Sequence, residues 1–277
     1  MEQIDYLIVG HICKDLTPSG PRLGGTATFA ALTAQAIGWR VGIVTSMPDD
    51  LLPLLEPLKA IPTVRIPAET STTFENIYTP RGRIQVLSGR ATLLTLEHIP
   101  TTWHRPQVVH LAPVADEVDP AIAHRFPASL KALTPQGWMR RWDDNGRVSY
   151  RPWPQAWQML PQVGAVVFSI EDVCGDEALV REYAARTEVL AVTRGADGCT
   201  LFVRGKAQHV PAQRVNERDP TGAGDIFAAA FFIRLHMTGD PLRAAHFATL
   251  LAGDSVTREG LDSVPRPEVI HTALTEA

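Results

Sequence analysis

The chain is poor in cysteine, in blocks of like charge and in long apolar runs. Its 277 residues hold three cysteines, Cys13, Cys174 and Cys199. They are odd in number and far apart. That spacing gives neither a disulfide framework nor a metal-ligand set, and a reducing cytoplasm is the expected setting. The formal net charge is −4 and no basic cluster occurs. Nucleic acid and membrane surfaces therefore have no electrostatic basis as partners. No apolar run reaches the roughly 20 residues that a membrane helix needs. Met1-Glu2-Gln3-Ile4-Asp5 has no basic stretch leading into an apolar one, so no signal peptide is expected. Two nucleotide fingerprints are missing as well. No G-x-x-x-x-G-K-[ST] is present, which argues against a Walker-type kinase. Val9-Gly10-His11-Ile12-Cys13-Lys14 lacks the second and third glycines of a dinucleotide-binding turn, which argues against a dehydrogenase.

What is present is ordinary globular material: 45% hydrophobic and 20% charged residues. That supports one α/β domain over residues 1–277 with a sizeable core. Strands are expected at Tyr6 to Val9, Val41 to Thr45, Val108 to Leu111, Ala165 to Phe168 and Val189 to Val192. Helices are expected at Thr26 to Ile37, closed by Gly38, and at Leu51 to Leu58, Pro120 to Phe126 and Asp176 to Arg186. The last third reads as helices at Ala223 to His236, Leu242 to Val256 and Pro267 to Leu274. Thr200 to Val203 reads as an antiparallel addition. The alternation implies a doubly wound, mostly parallel sheet with helices on both faces. Ligands in such sheets bind beyond the carboxyl ends of the strands. Thr63 to Ile66, Thr72 to Tyr78 and Arg83 to Leu87 alternate polar and apolar residues around a turn at Pro80-Arg81-Gly82. They read as half-exposed antiparallel strands of a small β lid, drawn from about 12–22 and 63–90. Residues 137–157 give no clear pattern, although four of the six tryptophans lie there.

Asp219-Pro220-Thr221-Gly222-Ala223-Gly224-Asp225 runs straight into the apolar series Ile226 to Ile233. A small-residue loop thus opens into a helix. N–H groups at such a start lack partners and sit at the positive end of the helix dipole, where a phosphate oxygen is favoured. Asp225 lies in the first turn beside that site. A carboxylate next to a phosphate is repelled by it, so its presence suggests chemistry: it can take the proton from an attacking hydroxyl. Gly222, Ala223 and Gly224 are the matching anion hole. A plain helix-start acid after a glycine turn is the alternative.

This string resembles the C-terminal signature D-T-x-G-A-G-D of the ribokinase-like (PfkB) carbohydrate kinases, with Pro220 at the second position. Gly24-Gly25-Thr26-Ala27-Thr28-Phe29-Ala30-Ala31, closing at Ile37-Gly38, is similar to the family's G-G-x-x-x-N-x-A…L-G. Phe29 stands where many sugar kinases carry an asparagine that holds sugar hydroxyls. Val9 to Asp15 resembles V-G-x-x-x-x-D. This implies that Asp15, with Gly24, Gly25 and Phe29, meets the acceptor; a solvated loop acid is the other reading of Asp15. Phe168-Ser169-Ile170-Glu171-Asp172 falls where the family shows N-x-x-E, which implies magnesium supported by Glu171 and Asp172. Favourable acids at a helix start would give the same residues. Thr193-Arg194-Gly195-Ala196-Asp197-Gly198 resembles T-x-G-x-x-G beside the nucleotide. With Thr221, and Thr249 in the adenine-walling helix, it implies nucleotide contacts at Thr193, Gly195 and Gly198.

The resemblance implies an ATP-dependent kinase for a small polyhydroxylated substrate, with Mg2+ and room for a monovalent cation. It also allows a homodimer. Thr72-Thr73-Phe74, the GGTATF form and Ser169 look most like the myo-inositol kinases. A sugar or nucleoside kinase with another acceptor remains open. So does an inactive nucleotide- or sugar-binding protein on the same fold.

Overall fold

The computed structural model describes residues 3–79, 82–103 and 105–276. The strands are β1 (Tyr6–Val9), β2 (Cys13–Thr17), β3 (Gly20–Gly24), β4 (Val41–Met47), β5 (Thr63–Pro67), β6 (Thr73–Thr79), β7 (Gly82–Gly89), β8 (Val108–Leu111), β9 (Leu130–Leu133), β10 (Arg140–Trp142), β11 (Val148–Tyr150), β12 (Ala165–Ser169), β13 (Val189–Thr193), β14 (Cys199–Val203) and β15 (Lys206–Val210). The α-helices are α1 (Thr26–Ala36), α2 (Ala156–Met159), α3 (Glu177–Ala184), α4 (Ala223–Thr238), α5 (Pro241–Ser255) and α6 (Pro267–Glu276).

Nine strands form one sheet in the order β15-β14-β13-β12-β9-β8-β1-β4-β5. From β13 to β5 every pairing is parallel; β14 and β15 add antiparallel. Successive residues of β1 serve opposite faces, as the period of two requires. Tyr6 and Ile8 join α1, α4 and α5 in one apolar core, and Leu7 and Val9 join Trp138, Trp153 and Tyr183 in the other. Both faces are therefore covered, which is why β1 and β4 are buried at every position. This is the mixed, mostly parallel α/β sheet that the alternation implies. A second sheet of four strands, order β3-β2-β6-β7, stands beside it.

Several expectations are corrected. Thr63–Pro67 belongs to the large sheet, not to a lid: it pairs parallel with β4 as an edge strand. An edge strand has one solvated face, so its exposed/half-buried alternation mimics a lid strand. The expected helices at 51–58 and 120–126 are 3₁₀ turns instead: Asp49–Leu54 with Glu56–Leu58, and Pro120–Arg125. Pro53 and Pro57 remove the amides that an α-helix there would need. Residues 80 and 81 of the expected turn lie outside the described residues. The patternless stretch holds a 3₁₀ turn (Pro135–Met139), the hairpin β10–β11 and the short α2. Trp138 and Trp153 are buried there and stacked at 5.4 Å. Among the described residues no helix is long and apolar enough to cross a membrane.

Candidate active site

The strands β9, β12 and β13 end at one cavity of about 690 Å³, capped on one side by the four-stranded sheet. That size suits a small ligand. Gly222 caps α4 in the left-handed conformation, φ 81°. A side chain there would be strained, so glycine is the residue that admits the turn. The Ala223 N–H donates to the Pro220 carbonyl at 3.2 Å, and the Ile226 N–H to that of Gly222 at 2.9 Å. Helix geometry leaves the N–H groups of Gly224 and Asp225 without intrahelical acceptors. Gly224 is exposed to the cavity, and a Cβ there would meet nothing within 4 Å. Asp219 shapes the loop from below: its carboxylate accepts from the N–H of Thr221 at 2.9 Å and of Gly260 at 3.1 Å.

Asp225 accepts a hydrogen bond from the Thr26 hydroxyl at 2.7 Å. Burial pushes its carboxyl up to about 6, and the Asp172 carboxylate pushes the same way; the Thr26 bond and the Arg140 charge pull it down. Loss of hydration is the dominant cause. A carboxyl near 6 is ionised at neutral pH and still basic enough to accept a proton.

Asp15 lies on β2, within a strand pair and not in a loop. Burial pushes it up to about 6, helped by repulsion from Asp225 and Asp219. Gly24 does not line the cavity. It lies beneath Asp15, whose carboxylate would collide with any side chain there. Gly25 lines the cavity at φ 83°, and a Cβ would press on Cys13 Sγ at 2.7 Å. Phe29 lies on α1. It borders the cavity, but its side chain is 1% exposed and its ring packs against Gly222. The ring therefore also supports the loop before α4.

At the other end, Thr193, Gly195, Gly198, Thr221 and Thr249 share the cavity wall. Gly195 and Gly198 have φ of 56° and 89°, which bends the chain after β13 into a tight turn. Glu171 and Asp172 line the wall between the two ends. One Asp172 oxygen accepts from the Ser169 N–H at 2.9 Å, and Ser169 Oγ accepts from the Glu171 N–H at 3.2 Å. Ser169 and Asp172 thus cap the turn after β12, and both acids line the cavity. Among the described residues no group of three or more acids, histidines or cysteines is poised to hold a metal.

Some lining residues escape sequence reasoning. Thr26 sits inside a quoted motif, but nothing local points it at Asp225. Gln136 donates to Thr26 Oγ1 at 2.9 Å from 110 residues away. Arg140 follows Gln136 in a stretch without pattern. Phe74 and Asn76 share one face of β6, and Gln85 opposite donates to Asn76 Oδ1 at 3.0 Å. A polar residue on a lid strand is a weak signal, since most such residues are solvated.

The profile of the pfkB family carbohydrate kinases matches residues 166–268. The cytidine kinase of Thermococcus kodakarensis is 25% identical over 82% of this chain and 87% of its own length. The inositol 3-kinase of Oryza sativa subsp. japonica is 27% identical over 83% of this chain and 63% of its own. The bifunctional protein HldE of Caulobacter sp. (strain K31) is 42% identical over 31% of this chain, which spans only 18% of that protein's length. A solved pyrophosphate-dependent kinase of the ribokinase family, complexed with a pyrophosphate analog and myo-inositol, superposes with a TM-score of 0.81. It is 18% identical and covers 96% of this chain and 99% of its own. Motif order and matches agree: residues 166–268 match the pfkB family carbohydrate kinases, and the kinase relatives support a phosphotransferase with an alcohol group as acceptor.

Proposed function

We propose that the chain transfers the terminal phosphoryl group of ATP to a hydroxyl of a small cyclic polyol, myo-inositol or a close isomer. The observation that carries this reading is the placement of Asp225 beside the open amides of α4, in the same cavity as Asp15. Asp225 takes the hydroxyl proton as the oxygen attacks. The N–H groups of Gly224 and Asp225 stabilise charge growing on the transferred group. Asp15 accepts hydrogen bonds from neighbouring hydroxyls of the acceptor. The Phe74 ring offers a surface for C–H bonds, and Asn76 and Gln85 offer amides to the polar rim. The four-stranded sheet acts as a lid that excludes water, the competing acceptor.

The oxygen donors of Glu171 and Asp172 suit hydrated magnesium, which keeps several waters and needs few carboxylates. When bound, the ion would offset charge on the donor phosphates. Thr193, Gly195, Gly198, Thr221 and Thr249 hold the nucleotide. The resemblance to the rice inositol 3-kinase supports the polyol over a furanose.

The test is a turnover screen over inositols, ribose, fructose and cytidine, with ATP and pyrophosphate as alternative donors. The highest kcat/KM is expected for an inositol with ATP. Preference for ribose, fructose or cytidine overturns the acceptor, and preference for pyrophosphate overturns the donor. No turnover in any combination overturns the kinase reading.

A further inference from the structure

The polar groups next to Asp225 form a line along the cavity wall. Arg140 Nη2 donates to Gln136 Oε1 at 2.6 Å, Gln136 Nε2 to Thr26 Oγ1 at 2.9 Å, and Thr26 Oγ1 to Asp225 Oδ1 at 2.7 Å. Its direction is fixed by chemistry. A guanidinium only donates, so Oε1 of Gln136 must face Arg140 and its amide NH₂ must face Thr26. Thr26 then receives one hydrogen and has a single hydrogen of its own, which goes to Asp225. Thr26 is fully buried, while Gln136 and Arg140 are half-buried at the cavity wall. The first member is anchored twice more. Arg140 Nη1 donates to the Val114 carbonyl at 3.0 Å, and its guanidinium lies 5.8 Å from the Phe74 ring. The turn that carries Gln136 is held by the Gly137 N–H donating to the Pro113 carbonyl at 2.9 Å. Any side chain at Gly137 would strike Pro113 and Val114.

We propose that Gln136 and Arg140 are positioning residues for phosphoryl transfer: with Thr26 they form a one-way donor chain that clamps Oδ1 of Asp225 and reserves its other oxygen for the acceptor hydroxyl. The inference rests on the kinase reading of Asp225 and adds residues to it. With Oδ1 already accepting from Thr26, the proton lost by the acceptor goes to the unclamped oxygen. Hydrogen bonds in series polarise one another, so the Arg140 charge is felt at the base. The groups around Asp225 make this bias matter. Asp15 on β2 and Asp172 after β12 are like charges, and Asp219 lies in the loop before α4. Tyr6 on β1 and Cys13 on β2 also sense the Asp225 charge. Arg140 is the cation that opposes this negative set at Asp225.

The test compares Thr26→Val, Gln136→Met, Gln136→Glu and the double variant Thr26→Val/Gln136→Met. Each single variant is expected to lower kcat by about tenfold or more, as for a lost bond to a charged group. Donor KM is expected to change less than about twofold, and the acidic limb of the pH profile to move upward. The double variant is expected to be no worse than Thr26→Val, because the chain passes through that hydroxyl. Gln136→Glu is expected to be as impaired as Gln136→Met. Glutamate satisfies Arg140 but, once ionised, has no hydrogen for Thr26. Additive losses, a raised acceptor KM without a change in kcat, or a fully active Gln136→Glu would overturn the relay. If the wild type phosphorylates no acceptor, the kinase reading fails by itself. The relay is then decided by carboxyl NMR titration of Asp225, whose midpoint must rise in Thr26→Val and Gln136→Met; an unmoved midpoint overturns it.

Discussion

The Phe29 ring occupies the space that a side chain at Gly222 would need: a Cβ at 222 would lie 2.5 Å from Cδ1 of Phe29. Two separated motifs meet in this contact. Phe29 comes from α1, behind the glycine pair, and Gly222 from the loop that starts α4. The ring therefore packs against the loop that starts α4, and the positive φ at 222 sets its turn.

Gly222→Ala is expected to lower both stability and turnover. The left-handed conformation costs an alanine roughly 1 kcal/mol, and the ring must also shift. Thermal melts with kcat measured on the same sample check this. Undiminished turnover would mean that the loop tolerates displacement and is not the anion site.

Gly224→Val separates space from fold. Position 224 opens on the cavity, and a Cβ there meets nothing within 4 Å. The melting temperature is expected to change little, while turnover falls because the branched side chain projects where the phosphate would lie. Loss of folding at this position would contradict the open placement.

Phe29→Asn is expected to destabilise the protein, not to tune the acceptor. The ring is buried, and aromatic truncation in a core costs about 3–5 kcal/mol with an unsatisfied amide added. A variant that melts like the wild type and gains ribose turnover would restore the sequence expectation of an acceptor wall.

These positions show what was legible beforehand. The period-two strands and the glycine loop before an apolar helix are local signals, and both were readable. The order of motifs along the chain placed Asp15, Thr193 and Asp225 near one another, because parallel sheets gather strand ends. The donor line to Asp225 was not readable. Gln136 and Thr26 meet across 110 residues, and a glutamine in a 3₁₀ turn has no periodic signature. Thr63–Pro67 misled because an edge strand of a buried sheet and a lid strand share the same alternation. Lys206–Val210 escaped because an edge strand exposed at four of its five residues shows no apolar pattern at all.

Asp15→Asn is expected to raise the acceptor KM by about tenfold or more and the donor KM far less. Its carboxylate would accept charge-assisted bonds from acceptor hydroxyls, each worth roughly 1.5–3 kcal/mol. Steady-state kinetics with each substrate varied in turn decides it. Equal effects on both substrates would assign Asp15 a structural role over Gly24.

Asp225→Asn links chemistry and stability through one titration. Loss of a general base typically costs about 10²–10⁴ in rate, while donor binding, which depends on the loop amides, is retained. In the wild type, activity is expected to fall as the pH drops through about 6, where the carboxyl becomes protonated. Stability runs the other way. The folded value of about 6 lies above the ordinary 3.8, so folding favours the protonated acid. That contribution is complete below about pH 3.8 and is lost as the pH rises through 6. At pH 8 the wild type carries a desolvated charge that asparagine lacks. The variant is therefore expected to melt above the wild type at pH 8, by at most about 3 kcal/mol, with a smaller gap at pH 5. Melts of both proteins at the two pH values check the sign. A gap that is the same at pH 5 and pH 8, or that grows towards acid, would show that the carboxyl is not held high by burial and would remove the physical basis for Asp225 as a base tuned near neutral pH.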